Sequence, residues 1–300
     1  MRTDWNVLYR KKKTGTILND TDTPFTVLKN SLRYWAADPF VFEENGETYI
    51  FAELYDKFTL KGTLGYCKYK GNGFTSWKSV IREDHHLSFP NIFKLDGDIF
   101  IMPESFQSKQ IYLYKAVSFP DKWVKYKVLY EGKELSDTVI LKANGTSHVF
   151  TSETDVSSGS VVYRLFKGKA DNDGMIGLED EPISEDISSS RPGGNFFEYN
   201  GSVIRVSQNC LGNYGAGLVF SEVDSDFING SSDVYKEKII KRISPEDIKT
   251  DCGTKIYGTH TYNSNGTFEV IDIKSKRPKS SSLVAIPCKI IKKLKKKKRK

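Results

Sequence analysis

The sequence has no run of about 18 apolar residues, so nothing in it is suited to cross a bilayer as a helix. Its first residues, MRTDWNVLYRKKK, lack the apolar centre of a secretion leader. Only four cysteines occur, Cys67, Cys210, Cys252 and Cys288, and none are spaced as metal ligands. Scattered cysteines without a leader are expected to be reduced thiols of the cytosol. There is no CxxC, no HExxH and no glycine-rich loop ahead of a helical pattern, which removes the familiar zinc and nucleotide-phosphate motifs. The cluster Gly212-Asn213-Tyr214-Gly215-Ala216-Gly217 lies beside a strand pattern and gives no nucleotide fingerprint. No metal and no cofactor are expected. Acidic residues are missing from the last twelve positions, KIIKKLKKKKRK, which hold eight Lys and one Arg. Removing these nine positive charges takes the net charge from +7 to −2. The basic character is therefore a tail, and the rest of the chain shows no basic face for nucleic acid.

What the chain does have is aromatic residues and a recurring turn. Aromatics make up 13%, with 16 Tyr and 18 Phe, which suits strands packed face to face. Trp35 to Glu53, WAADPFVFEENGETYIFAE, reads as strand, turn and strand. Asn45-Gly46 is the turn, because a two-residue hairpin loop of this type needs positive φ at both centres. The unit recurs at Asp96-Gly97, Asn144-Gly145, Asn200-Gly201 and Asn265-Gly266. The turn glycines are 51, 48, 56 and 65 residues apart, a period that belongs to propeller blades. The expected fold is all-β, one five-bladed β-propeller of four-stranded blades over residues 1–273.

Runs of alternating residues after each hairpin supply the outer strands of blades one to four. Blade four has a polar link, DSDFINGSSD, and Ser244 to Ile248 reads as one helical turn capped by Ser244. Blade five has only its inner hairpin, so its missing strand must come from elsewhere. Trp5–Arg10 is expected to supply it and close the ring, with the rest of 1–34 as connection. Residues 274–300 are a polar exit and a basic tail, in which Ile290, Ile291 and Leu294 share one side of a helix.

Residues equally far from a hairpin turn become neighbours. Eight positions back from the turn glycines stand Asp38, Phe89, Asp137, Gly193 and Gly258. Seven forward stand Glu53, Glu104, Ser152 with Glu153 next, Gln208 and Ile273. Arg191 and His260 lie within two residues of the backward set. In a propeller these ends ring one mouth of the channel. Asp38, Glu104 and Asp137 are the candidate catalytic acids. Trp35, Glu53, Glu153, Arg191, Gln208, Tyr214 and His260 are the candidate substrate-binding residues. Converging carboxylates with an Arg and a His suit a sugar site, as general acid, general base and hydroxyl or phosphate clamps. Crowded carboxylates cannot all ionise cheaply, so at least one is expected to keep a proton. Solvated strand-end acids, a structural histidine and packing roles for Trp35, Tyr214 and Cys210 are the plainer alternatives.

The stretches WAADPFVFEENGETYIFAE, SFPNIFKLDGDIFIMPES, SRPGGNFFEYNGSVIRVSQNCLGNYG and GTHTYNSNGTFEVID carry a family likeness. They resemble the five-bladed N-terminal domain of glucosamine inositolphosphorylceramide transferases, over about Trp35 to Asp272. More distantly, the Asp-Pro opening is similar to glycoside hydrolase families 43 and 32. That likeness implies Asp38 as base or nucleophile and Glu104 or Glu153 as proton donor. The second-blade Asp of those families is absent here, because Ser88-Phe89-Pro90 stands in its place.

The leading expectation is a carbohydrate-active propeller of cell-surface polysaccharide synthesis, a glycosyltransferase. Its partners would be a sugar donor and a glycan or glycolipid acceptor, and no specific nucleic acid. The tail would hold it at the anionic inner face of the cell membrane, in the cytoplasm. A glycoside hydrolase and a non-catalytic sugar-binding propeller are the alternatives.

Overall fold

The Asn/Asp-Gly pairs turn the chain where expected. In the computed structural model, which describes residues 3–12, 15–157 and 159–277, both centres of the first four turns have positive φ. Asn45, Asp96, Asn144 and Asn200 lie at φ 52°, 50°, 45° and 50°. The fifth turn differs. Neither Asn265 nor Gly266 is left-handed. Instead the Asn265 N–H donates to the Phe268 carbonyl at 3.0 Å. The Asn265 side chain accepts the N–H groups of Thr267 and Phe268 at 2.9 and 2.7 Å. An Asn side chain has replaced part of the backbone turn, which shifts the register of the last hairpin.

The architecture is the five-bladed propeller. Blade one is Tyr34–Glu44, Glu47–Asp56, Lys61–Lys68 and Lys78–Ile81. Blade two is Ser88–Leu95, Asp98–Glu104, Gln110–Ser118 and Lys122–Glu131. Blade three is Leu135–Ala143, Thr146–Asp155, Val162–Ala170 and Ile176–Leu178. In blade four the innermost strand is interrupted, as Arg191–Pro192 and Phe197–Tyr199. Ser202–Asn209, Gly217–Val223 and Glu237–Ile243 follow. Its polar link contains one short helix, Ser225–Asn229, capped by the Asp224 carboxylate. Ser244 caps a single 3₁₀ turn, Pro245–Asp247.

Blade five is Ile256–Gly258 with Tyr262–Ser264, then Phe268–Lys276, Thr3–Lys11 and Thr26–Val27. Thr3–Lys11 pairs with Phe268–Lys276 along its whole length, from Thr3↔Lys276 to Lys11↔Phe268. A buried ion pair anchors this seam: Arg10 Nε lies 2.6 Å from Glu269 Oε2. Arg10 also donates to the carbonyls of Thr23 and Asp20, both at 2.8 Å. Glu269 Oε1 accepts the Ile17 N–H at 2.7 Å and the Tyr262 hydroxyl at 2.6 Å. The connection from Ile17 to Thr23 is thus tied to the strand that closes the ring.

Aromatic and aliphatic side chains fill the gaps between blades. Phe40, Phe51, Phe89, Tyr112 and Phe150 are buried across blades one to three. Leu8, Phe25, Phe220, Tyr262 and Ile271 do the same across blades four and five. Each such side chain contributes about 1.5–3 kcal/mol of apolar burial. Cys67, Cys210 and Cys252 are free thiols. Among the described residues no helix is long and apolar enough to cross a membrane.

One irregularity positions the chemistry. The innermost pairing skips in each of the first three blades. Ala37↔Glu53 is followed by Phe40↔Phe51, Ser88↔Glu104 by Asn91↔Met102, and Ser136↔Ser152 by Val139↔Phe150. Each skip is a β-bulge, which re-aims a side chain out of the ladder. The first bulged residue is left-handed each time: Asp38 at φ 51°, Phe89 at 45° and Asp137 at 54°. In blade five the pairing passes from Gly258↔Lys274 to Tyr262↔Ile271, and His260 sits in the gap. Thr259 and Thr261 flank it there, and none of the three is left-handed.

Candidate functional site at one mouth of the channel

Asp38 is held from three sides. Its Oδ1 accepts the Thr261 hydroxyl at 2.8 Å and lies 3.2 Å from His260 Nε2. Its Oδ2 accepts the Phe89 N–H of the next blade at 3.2 Å. His260 is in turn fixed by Asp272, whose Oδ2 is 2.7 Å from Nδ1. Asp272 also accepts the backbone N–H groups of Asp38, His260 and Thr261, at 3.0, 2.9 and 3.1 Å. Trp5, on the closing strand, covers the imidazole with ring centroids 4.1 Å apart, and Tyr214 meets its edge at 5.1 Å.

The other half of the site is built on Arg191. Its Nε donates to Asp137 Oδ2 and its Nη2 donates to Glu104 Oε2 at 3.2 Å. Gln208, paired with Arg191 in the sheet, donates to Asp137 Oδ2 at 2.8 Å. Tyr214 lies over the guanidinium, 5.3 Å from ring centre to Cζ. Glu53 is buried with Oε1 3.2 Å from His86 Nε2.

The electrostatics follow from crowding. Five buried carboxyls, Asp38, Glu53, Glu104, Asp137 and Asp272, face one Arg and one buried His. Burial pushes Asp38 up to about 6; Asp272 and Asp137 add to the shift, and His260 opposes it. Burial lifts Glu53 well above the usual carboxylate range, reinforced by Asp38 and Glu104. Burial lifts Glu104 as well, with Asp137 adding to the rise and Arg191 resisting it. Burial alone would depress His260, but the flanking Asp272 and Asp38 outweigh it and raise the imidazole. The mouth therefore gathers carboxyls whose proton affinities are all raised by burial and by one another, with Arg191 and His260 opposing the rise on Glu104 and Asp38.

Asp38, Glu53, Glu104, Asp137, Arg191, Gln208, Tyr214 and His260 all come together. Trp35 and Glu153 do not. Trp35 stacks on Tyr55 at 4.5 Å, outside the cluster. Glu153 pairs with Leu135 and lies 3.8 Å from Arg164; strand alternation turns it away and turns Ser152 inward. Asp272, Thr261, His86 and Trp5 belong to the site although the turn count missed them. Asp272 was one residue from the counted position, Ile273. Asp38, His260 and Asp272 offer ligand atoms within 4.8 Å of one another, a spacing a cation could bridge. The two carboxylates also accept the Thr261 hydroxyl and four backbone N–H groups, which hold the trio in place.

A profile of the family described as glucosamine inositolphosphorylceramide transferase 1, N-terminal, matches residues 27–250. The glucosamine inositolphosphorylceramide transferase 1 of Arabidopsis thaliana is 30% identical over 204 residues, 63% of this chain and 25% of that protein. The chain spans about a quarter of the length of the curated relatives it matches. Among solved structures, the catalytic domain of a GH62 α-L-arabinofuranosidase from Coprinopsis cinerea has a TM-score of 0.54 at 12% identity, covering 79% of this chain and 90% of that one. The GH32 β-fructofuranosidase of Bombyx mori has a TM-score of 0.52 at 14% identity, covering 79% and 55%. At these identities the likeness is one of fold. The profile match extends over most of the chain, which thus belongs to the family of the N-terminal domain of glucosamine inositolphosphorylceramide transferase 1.

Proposed function

We propose that the mouth of the channel is a carbohydrate site and that the chain serves glycosyl transfer to a glycan or glycolipid acceptor. The observation that carries this reading is the set of carboxyls with unlike proton affinities, gathered from different blades beside Arg191. Asp38, ionised at neutral pH and held by His260, acts as the base on the acceptor hydroxyl. Glu53 and Glu104, whose proton affinity burial raises, take the opposite role of acid. Arg191, Gln208 and Tyr214 supply hydrogen-bond donors and an aromatic face for the sugar ring. Family membership supports the glycolipid direction.

Incubating the protein with glycoside and nucleotide-sugar donors, with and without glycolipid acceptors, tests the reading. Sugar appearing on an acceptor supports it. Free sugar released without any acceptor would replace transfer by hydrolysis, and glycan binding without turnover would leave a binding propeller.

The basic tail lies outside the described residues. On sequence grounds it holds the protein to an anionic membrane surface, at about 1 kcal/mol per basic residue near the lipid. Deleting residues 287–300 should abolish binding to phosphatidylserine-containing vesicles and leave the thermal midpoint unchanged. Undiminished vesicle binding by the shortened protein would contradict this.

A further inference from the structure

The proposed reaction needs a proton donor, and burial raises the proton affinity of two carboxyls at the mouth, Glu53 and Glu104. Their surroundings differ. Glu104 Oε2 lies 3.2 Å from Arg191 Nη2, a permanent cation. Glu53 is surrounded by Asp38, Glu104, Asp272 and Asp137, and its one basic neighbour is His86, from the segment ahead of Ser88–Leu95. His86 brings no charge. Its Nδ1 accepts the Gly62 N–H at 2.9 Å, so the ring proton sits on Nε2, the atom facing Glu53. Burial, with His85 nearby, pushes His86 down to about 4. The neutral ring therefore persists at neutral pH.

The two carboxyl oxygens differ in access. Glu53 Oε1 is sealed from solvent and makes no hydrogen bond among the described residues, with His86 Nε2 3.2 Å away. Oε2 is not among the sealed atoms. Oε2 is the oxygen that a bound substrate can reach. Gly62 makes the arrangement possible: a Cβ there would stand 2.6 Å from Glu53 Oε1 and 2.8 Å from His86 Cε1.

We propose that Glu53 is the proton donor of this site, through Oε2, that His86 is its positioning residue, and that the bond broken is a glycoside with an alcohol as leaving group. The inference rests on the carbohydrate reading. The bond from the anomeric carbon to the departing oxygen breaks, and its electron pair stays on that oxygen. The Glu53 proton moves to the same oxygen. The acceptor oxygen forms the new bond to the anomeric carbon and gives its proton to Asp38. An alkoxide needs this protonation, whereas a nucleoside diphosphate leaves as a stable anion. The mouth also disfavours a diphosphate, since Arg191 is engaged by Asp137 and Glu104, and His260 by Asp38 and Asp272.

The test needs no substrate. The full chain, labelled with ¹³C at the Glu side-chain carboxyls, is titrated by NMR from pH 5 to 9. The carboxyl signal missing in Glu53→Gln should be protonated at pH 7 and should titrate above the one missing in Glu104→Gln. His86→Ala should move the Glu53 midpoint by about one pH unit or more and leave that of Glu104 in place, with His86→Gln restoring it. An ionised Glu53 at pH 7, or a Glu53 midpoint below that of Glu104, overturns the assignment. Titration with uridine diphosphate should show no binding at neutral pH; saturable micromolar binding at the mouth, lost in Arg191→Met, overturns the leaving-group class. Because these readouts are independent of turnover, failure of the carbohydrate reading in the product assay remains separately visible.

Discussion

Asp38→Asn is expected to lower transfer activity by at least about 100-fold, the scale of one acid–base contribution, without unfolding the protein. Asparagine keeps one oxygen, enough for either the Thr261 hydroxyl that Oδ1 accepts or the Phe89 N–H that Oδ2 accepts, and it cannot take a proton from an acceptor. Its effect on stability runs the other way. Burial raises the folded pKa of Asp38 from 3.8 to about 6. Between these values the folded state binds more protons than the unfolded state, so the Asp38 contribution falls as pH rises. Above about 6 the loss is complete and amounts to roughly 2–3 kcal/mol, partly recovered through His260. The variant has no such loss, although His260 then keeps only Asp272 as a carboxylate partner. Urea titrations should show the variant gaining on wild type from pH 4 to 6 and matching or exceeding it at pH 7. Full activity in the variant would remove Asp38 from the chemistry. A gain that appears only below pH 4 would contradict the raised pKa.

Arg10→Met is expected to cause the largest loss of stability, about 3–5 kcal/mol, because it leaves Glu269 buried beside Ile17 and Tyr262 without its cation. The same change frees the carbonyls of Thr23 and Asp20 from their donor. Chemical denaturation measures the loss, and limited proteolysis should cut first between Ile17 and Thr23. Lys249→Ala, which removes a solvent-exposed partner of Asp22, serves as the control and should leave the midpoint unchanged. If Arg10→Met and Lys249→Ala unfold alike, the buried pair is not what holds the seam.

The fold was legible because Asn-Gly and Asp-Gly do one job in a hairpin, and four of the five do it here with left-handed backbone. The same count gathered most of the site, since residues at matching distance from the turn reach the same mouth. It failed where local chemistry altered the register. The Asn265 side chain opens the fifth turn so that Ser264 pairs with Glu269, and counting from Gly266 no longer marks equivalent residues. In blade three the count fell on Ser152, which faces inward, while Glu153 beside it is turned away by strand alternation. The bulges also set Ala37, and not Asp38, opposite Glu53. His86 lies in a link outside the repeat, and Trp5 reaches His260 only after the ring closes, so neither carried a periodic signal.

Pairing Thr3–Lys11 with Phe268–Lys276 also sets a clock on biosynthesis. At about 5–20 residues per second, the first strand waits roughly 10–50 s for its partner to be made. Blades one to four can form meanwhile, from strands close in sequence. The last blade cannot, so the contacts most distant along the chain form last and govern the folding rate. Until then the leading strand presents unpaired backbone to other nascent chains. Changes that weaken its seam should therefore reduce the yield of soluble protein at high expression more than the equilibrium loss alone predicts. Slower synthesis or lower temperature would not recover that yield as well as supplying the closing strand beside its partner, in a circularly permuted chain.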